Sequence, residues 1–134
     1  MVFDLHAHVV LVTKYRKGAI TDRVREHIIS VATDTCSRFD VTLVEADGES
    51  DHIHLVLDYP PKVSLSKLVG AIKTNTSREI RAQGWPEVQR ALWGDHFWSP
   101  SYFVASTGGA PLERVREYVR NQRQPNNKPG RPKR

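Results

Sequence analysis

One cysteine, Cys36, stands in a chain of 134 residues, which excludes an intrachain disulfide. It falls inside a helical pattern among apolar neighbours and reads as a small core side chain. Long apolar runs are also missing. The longest, Ala7 to Val12, is interrupted by His8 and falls far short of the roughly 20 residues that a membrane-crossing helix needs. The opening residues, MVFDLHAHVV, put an acid and two histidines where a secretion signal needs a basic start and an apolar stretch. These absences predict a cytoplasmic protein with no membrane association. No internal repeat and no linker divides the chain, whose length fits one domain. Acids are in the minority, 15 against 20 Lys and Arg, for a net charge of +5. The imbalance favours a polyanionic partner, nucleic acid first. Part of it sits in the tail QPNNKPGRPKR, through Lys128, Arg131, Lys133 and Arg134. A tail of that composition is expected to be disordered, so residues 1–124 are expected to form the domain and 125–134 a basic tail.

What is present is a regular alternation of patterns. DLHAHVVLVT (4–13) is rich in β-branched residues and reads as a strand, followed by the basic loop KYRKGAI. Val24, Ile28, Val31, Ala32 and Thr35 recur at helical spacing, which predicts a helix over 21–38 with Thr21 at its N-cap. VTLVEAD (41–47), a GES turn and HIHLVLDY read as an antiparallel hairpin, closed by Tyr59-Pro60-Pro61. Ser64 can cap a helix over 65–82 that carries Leu65, Leu68, Val69, Ile72, Thr76 and Ile80 on one face. After an aromatic-rich connection, SYFVAST (101–107) reads as a fourth strand. Gly108-Gly109 breaks it, and a last helix is expected over 111–124. The order β-α-β-β-α-β-α predicts an α+β fold, a ferredoxin-like or RRM-like sandwich with a four-stranded antiparallel sheet. The first and third strands then occupy the sheet centre. Two helices cover one face and leave the other open.

His52 and His54 flank Ile53 in the third strand, so both point to one face while Ile53, Leu55 and Leu57 point to the other. Two imidazoles so placed can hold one divalent metal, but the spacing alone fits ordinary strand histidines as well. His6 and His8 repeat the spacing in the first strand, where backbone pairing or packing is the expected role. In the last helix, Leu112, Val115 and Val119 form the apolar stripe, with Tyr118 and Gln122 side by side on its flank. Helix geometry leaves two readings: a packed tyrosine with a solvated amide, or a tyrosine aimed at a reactive centre.

Basic residues interleave with aromatics, a combination suited to single-stranded nucleic acid, where cations neutralise phosphates and rings stack on bases. The candidates are Lys14, Tyr15, Arg16, Lys17, Lys67, Lys73, Arg78, Trp98 and Tyr102; Phe103 is expected in the core.

Three stretches, HVVLVTKYRKG, DHIHLVLDYPP and FWSPSYFVASTGG…VREYVRNQ, together resemble the one-tyrosine HUH transposases of small insertion sequences, the TnpA type. The resemblance spans nearly the whole chain. It implies that Tyr118 is the nucleophile, that His52, His54 and Gln122 are metal ligands, and that the metal is Mg²⁺ or Mn²⁺. It also implies an obligate homodimer that recognises hairpins in single-stranded DNA at insertion-sequence ends. Strands would be cut and rejoined through a 5′-phosphotyrosine, with the histidines of one subunit able to serve the tyrosine helix of the other. Gly108-Gly109 is then a hinge for that helix, or an ordinary turn. A domesticated HUH endonuclease acting on repeated hairpins would share this chemistry. A non-enzymatic RRM-like module would need stacking aromatics on the two central strands, where this sequence has histidines and aliphatics.

Overall fold

The computed structural model describes residues 5–92 and 96–106. Chain order is β1 (His6–Thr13), a 3₁₀ turn (Lys14–Arg16), α1 (Asp22–Arg38), β2 (Thr42–Glu49), β3 (His52–Asp58), α2 (Leu65–Ala82), α3 (Pro86–Gln89) and β4 (Trp98–Ser106). The strands form one antiparallel sheet ordered β2-β3-β1-β4, with β3 and β1 central as the chain order predicts.

Both long helices start on a side-chain cap. The Thr21 hydroxyl accepts from the Val24 N–H, and Ser64 accepts from the Lys67 N–H, each satisfying an amide that the first turn leaves unpaired. Strand alternation then sorts the sheet. Ala7, Val9 and Leu11 of β1 pair with Leu57, Leu55 and Ile53 of β3, and all six are fully buried. They belong to one core with Val24, Ile28 and Ala32 of α1 and Leu68, Val69 and Ile72 of α2. Each such Leu, Ile or Val contributes about 1.5–3 kcal/mol by leaving water. Cys36 is fully buried there too, and burial pushes its thiol up to about 11.

Three boundaries differ from the expectation. The β2–β3 loop is two residues, Ser50 and Asp51, because Glu49 already pairs with His52. Gly48 is a strand residue opposite Ile53, and a Cβ there would lie 2.3 Å from the His52 carbonyl oxygen. Its glycine allows close backbone approach instead of forming the turn. β4 starts at Trp98, three residues before the expected 101. Pro100 is tolerated because β4 is an edge strand whose register shifts between the Leu11–Tyr102 and Thr13–Trp98 pairs.

The aromatic-rich connection contains α3, which Pro86 opens at the first turn. Arg23 holds it to α1: its Nε and Nη2 donate to the two Glu87 oxygens at 2.7 and 2.8 Å, and its guanidinium lies 4.8 Å from the Trp85 ring centre. The Thr21 hydroxyl donates to the same carboxylate at 2.9 Å. Chiefly through the Arg23 bonds, the Glu87 carboxyl is held down at about 2.

No helix among the described residues is long and apolar enough to cross a membrane. Gly108, Gly109, the expected helix 111–124 with Tyr118 and Gln122, and the tail 125–134 lie outside the described residues.

Candidate functional site

Cross-strand pairing fixes what the open face presents. His52 lies between Glu49 of β2 and Val12 of β1, and His54 between Asp47 and Val10. One step further along, Val56 lies between Glu45 and His8, and beyond it Asp58 faces His6. The open face therefore carries four histidines on its two central strands, bordered by three acids on β2.

Although His52 lies on the open face, it is only 8% exposed. Its Nδ1 is 3.0 Å from the Asp51 Oδ1. With the Nδ1–H donated to that carboxylate, the neutral ring keeps its lone pair on Nε2. Glu49, Asp51 and His52 bring one potential ligand atom each to within 4.8 Å of one another. Carboxylate oxygens beside an imidazole suit Mg²⁺ or Mn²⁺ better than nitrogen alone, so the donors present fit such an ion. Sequence reasoning passed over Glu49 and Asp51. Their signal was the acid pair in ESDH, just ahead of the first histidine.

His54 is half-buried and meets His8, whose Nδ1 lies 3.2 Å from the His54 Nε2. The two rings are nearly parallel, 12° apart, with centres separated by 5.4 Å. His54 does not belong to the compact Glu49–Asp51–His52 group. His6 and His8, expected in backbone pairing or packing, pair in the sheet and each also meets a side chain. His6 Nδ1 bonds Asp58, six residues or about 20 Å along β3 from His52. His8 touches one of the two HxH rings.

The basic candidates divide by position. Lys14 and Lys73 line one groove of about 340 Å³ with Arg81 and His96, at the end of the sheet where β1 runs out. His96, two residues ahead of the start of β4, was not among the expected residues. The Lys73 Nζ donates to the Ser99 and Pro100 carbonyls at 2.7 and 3.3 Å and sits 5.3 Å from the Tyr102 ring centre. Burial lowers its pKa. Tyr15 is 67% exposed in a left-handed backbone conformation (φ 56°), with the Lys14 Nζ 5.3 Å from its ring centre. Lys17, Lys67 and Arg78 are exposed outside this groove, and the Arg78 Nη2 donates to the Asn75 Oδ1. The side chain of Arg16 lies outside what is described, as does Trp93.

Two aromatic assignments reverse. Trp98 is 5% exposed, packs edge-on against Phe97 and donates its indole N–H to the Thr76 hydroxyl at 2.9 Å. It belongs to the core, and it also lines the groove beside Lys14 and Lys73. Phe103, expected in the core, pairs with Val10 and so lies on the histidine face, half-buried. On β1 and β3 the open-face positions hold no Phe, Tyr or Trp, which removes the stacking platform that an RRM-like module needs.

The chain is similar to several known proteins. Residues 1–122 match the protein family described as "Transposase IS200 like". The chain is 23% identical over 121 residues to the ISDra2 transposase TnpA of Deinococcus radiodurans, covering 90% of this chain and 86% of that one. It is 30% identical over 115 residues to the transposase for insertion sequence element IS200 of Salmonella typhimurium, covering 86% and 74%. Among solved structures, it is similar to a candidate transposase from Deinococcus radiodurans, with a TM-score of 0.78, 26% identity, and coverage of 91% and 93%. The fold is shared as well with a REP-associated tyrosine transposase bound to a REP hairpin, with a TM-score of 0.59, 11% identity, and coverage of 88% and 64%.

Proposed function

The chain belongs to the IS200-like transposase family of DNA-processing enzymes, and on that premise we propose that it cleaves and rejoins single-stranded DNA at hairpin-bearing insertion-sequence ends, with Tyr118 as nucleophile. The observation that carries this reading is the open sheet face. It presents His52 and His54 side by side, with two carboxylates within ligand distance of His52.

His52, His54 and Gln122 would hold a divalent cation, Mg²⁺ or Mn²⁺, with the Glu49 and Asp51 carboxylates close to His52. When bound, the cation offsets the negative charge of a tyrosine phenolate and of the phosphoryl group under attack. Tyr118 gives up its phenolic proton, which its ordinary pKa near 10 makes unfavourable without such help. Its oxygen attacks phosphorus; the new Tyr–O–P bond forms as the P–O3′ bond breaks, and the departing 3′ oxygen takes up a proton. The products are a 5′-phosphotyrosine and a free 3′-OH. Because the phosphoester is retained, the 3′-OH of another strand reverses the step and joins new ends without ATP.

The remaining parts follow the same reading. Lys14 and Lys73 line a groove of a size and charge suited to a DNA backbone, and Lys67, Arg78, Tyr15 and Tyr102 are exposed candidates outside its lining. The protein works as a homodimer in which the histidines of one subunit can serve the tyrosine helix of the other, with Gly108-Gly109 as the hinge.

The test mixes the protein with hairpin-bearing single-stranded DNA and Mn²⁺ and looks for a covalent adduct on a denaturing gel. Tyr118→Phe should abolish the adduct and spare DNA binding, and a chelator should suppress it in the wild type. An adduct that survives Tyr118→Phe, or forms on duplex DNA alone, contradicts the proposal.

A further inference from the structure

We propose that His8 is a positioning residue for the metal centre: it accepts a hydrogen bond from the His54 Nε2–H and so holds His54 in the tautomer that offers Nδ1 to the cation. The inference rests on the reading that His52 and His54 hold a divalent ion.

Three observations carry it. The first is the shape of the contact. A ring nitrogen lies about 1.1 Å from its own ring centre, so nitrogens 3.2 Å apart can hold their rings no further apart than about 5.4 Å. The observed separation is 5.4 Å, at an interplanar angle of 12°. Both nitrogens therefore lie on the line joining two nearly coplanar rings, the arrangement in which an N–H points straight at a lone pair. Two imidazoles holding one ion at about 2.1 Å each, with their nitrogens still 3.2 Å apart, would draw their centres in to about 4.9 Å. The rings are thus hydrogen-bonded to each other rather than set to share an ion through these nitrogens.

The second observation is direction. His8 faces Val56, two residues beyond His54 on β3 and on the side away from His52. The His54 Nε2 is turned toward His8, hence away from its HxH partner, which leaves Nδ1 as the nitrogen for an ion shared with His52.

The third is proton accounting. A neutral imidazole carries one N–H and one lone pair. If His54 donates from Nε2, its Nδ1 keeps the ring's lone pair and can ligate. The reverse sense puts the hydrogen on the His54 Nδ1 and leaves no lone pair for a metal. Ligation therefore selects the sense in which His8 Nδ1 accepts. Asp51 holds His52 in the complementary way, through Nδ1, leaving Nε2 for the ion. The two histidines of the motif then reach the metal through different nitrogens, each fixed by its own partner.

Mn²⁺ titrations followed by electron paramagnetic resonance, on the full chain without DNA, test this on the wild type, His8→Ala, His8→Asn and His54→Ala. His8→Ala should weaken Mn²⁺ binding by about 10–100-fold, the usual effect of losing an outer partner of a ligand. His8→Asn, whose amide oxygen can stand where Nδ1 stood, should recover most of the loss. Nitrogen-15 NMR of the metal-free wild type above pH 8 should show His54 hydrogenated at Nε2, a preference that His8→Ala removes. Unchanged affinity in His8→Ala, with binding lost in His54→Ala, overturns the role of His8 and leaves the metal reading standing. Unchanged affinity in both overturns the two together. If His8→Ala does not fold, the wild-type spectrum decides: hydrogen on Nδ1 refutes the proposal.

Discussion

Gly48→Ala is a sharp probe of how the hairpin builds the site. A Cβ at this position would lie 2.3 Å from the His52 carbonyl oxygen and 2.9 Å from the Ile53 Cα. Both obstacles are backbone, so no side-chain rotation relieves the clash. Ordinary contact at about 3.5 Å requires the end of β2 to move off β3 by about 1 Å, against a normal strand spacing of about 4.8 Å. That displacement stretches the ladder at the Gly48–Ile53 and Glu49–His52 pairs. Weakening one or two hydrogen bonds at about 1 kcal/mol each, together with residual overpacking, gives a loss of about 1–3 kcal/mol. At about 4 °C per kcal/mol for a domain of this size, the melting temperature should fall by about 4–12 °C. The same shift separates Glu49 from His52, so Mn²⁺ affinity should fall as well. Gly70→Ala is the control: nothing lies within 4 Å of a Cβ there, and its helical position should make the change stabilising by about 0.5–1 kcal/mol. Circular dichroism melts of the two variants decide the matter. A Gly48→Ala protein that melts within about 1 °C of wild type would refute the close-approach argument.

Trp98→Phe removes the indole bond to Thr76 and should lower stability by about 1–2 kcal/mol, while single-stranded DNA affinity of the folded protein stays unchanged; weaker DNA binding at an unaltered melting temperature would return Trp98 to the DNA surface. The Cys36 thiol, buried and raised to about 11, should resist a thiol reagent at pH 8 until the protein is unfolded by denaturant, and rapid labelling of the native protein would contradict its core position. Glu87, held at about 2 when folded against about 4.3 unfolded, contributes stability that is full above the unfolded value and is lost as pH falls toward about 2. The wild type should therefore lose more melting temperature than Glu87→Gln on acidification through that window; parallel curves would show that the Arg23 clamp adds nothing.

Periodicity carried the fold because burial imposes it. The apolar spacing and Ser64 located α2 at its observed bounds, and the order of elements located β1 and β3 at the sheet centre. The shared face of His52 and His54 was legible for the same reason, since strand residues alternate. Contacts that depend on register were not. His8 reaches His54 because it pairs with Val56, an alignment that neither strand's sequence specifies alone. The exchange of roles between Trp98 and Phe103 has the same root. A register shift between Leu11 and Thr13 carries Pro100 and leaves Trp98 paired with Thr13 and Phe103 with Val10, and its presence cannot be read from a strand that seems to end at proline. Gly48 misled because glycine more often marks a turn than a tight backbone contact. Glu49 and Asp51 became visible as partners of His52 once the two-residue loop folded them back beside it.

Tyr118, proposed to form the covalent bond to DNA, is one of four tyrosines in the chain, with Tyr15, Tyr59 and Tyr102. Trapping the adduct on hairpin-bearing single-stranded DNA with Mn²⁺, digesting protein and DNA, and sequencing the nucleotide-bearing peptide by mass spectrometry identifies the residue directly. The expected result is a 5′-phosphonucleotide on Tyr118 alone. The same modification on the exposed Tyr15, or on any residue other than Tyr118, would contradict it.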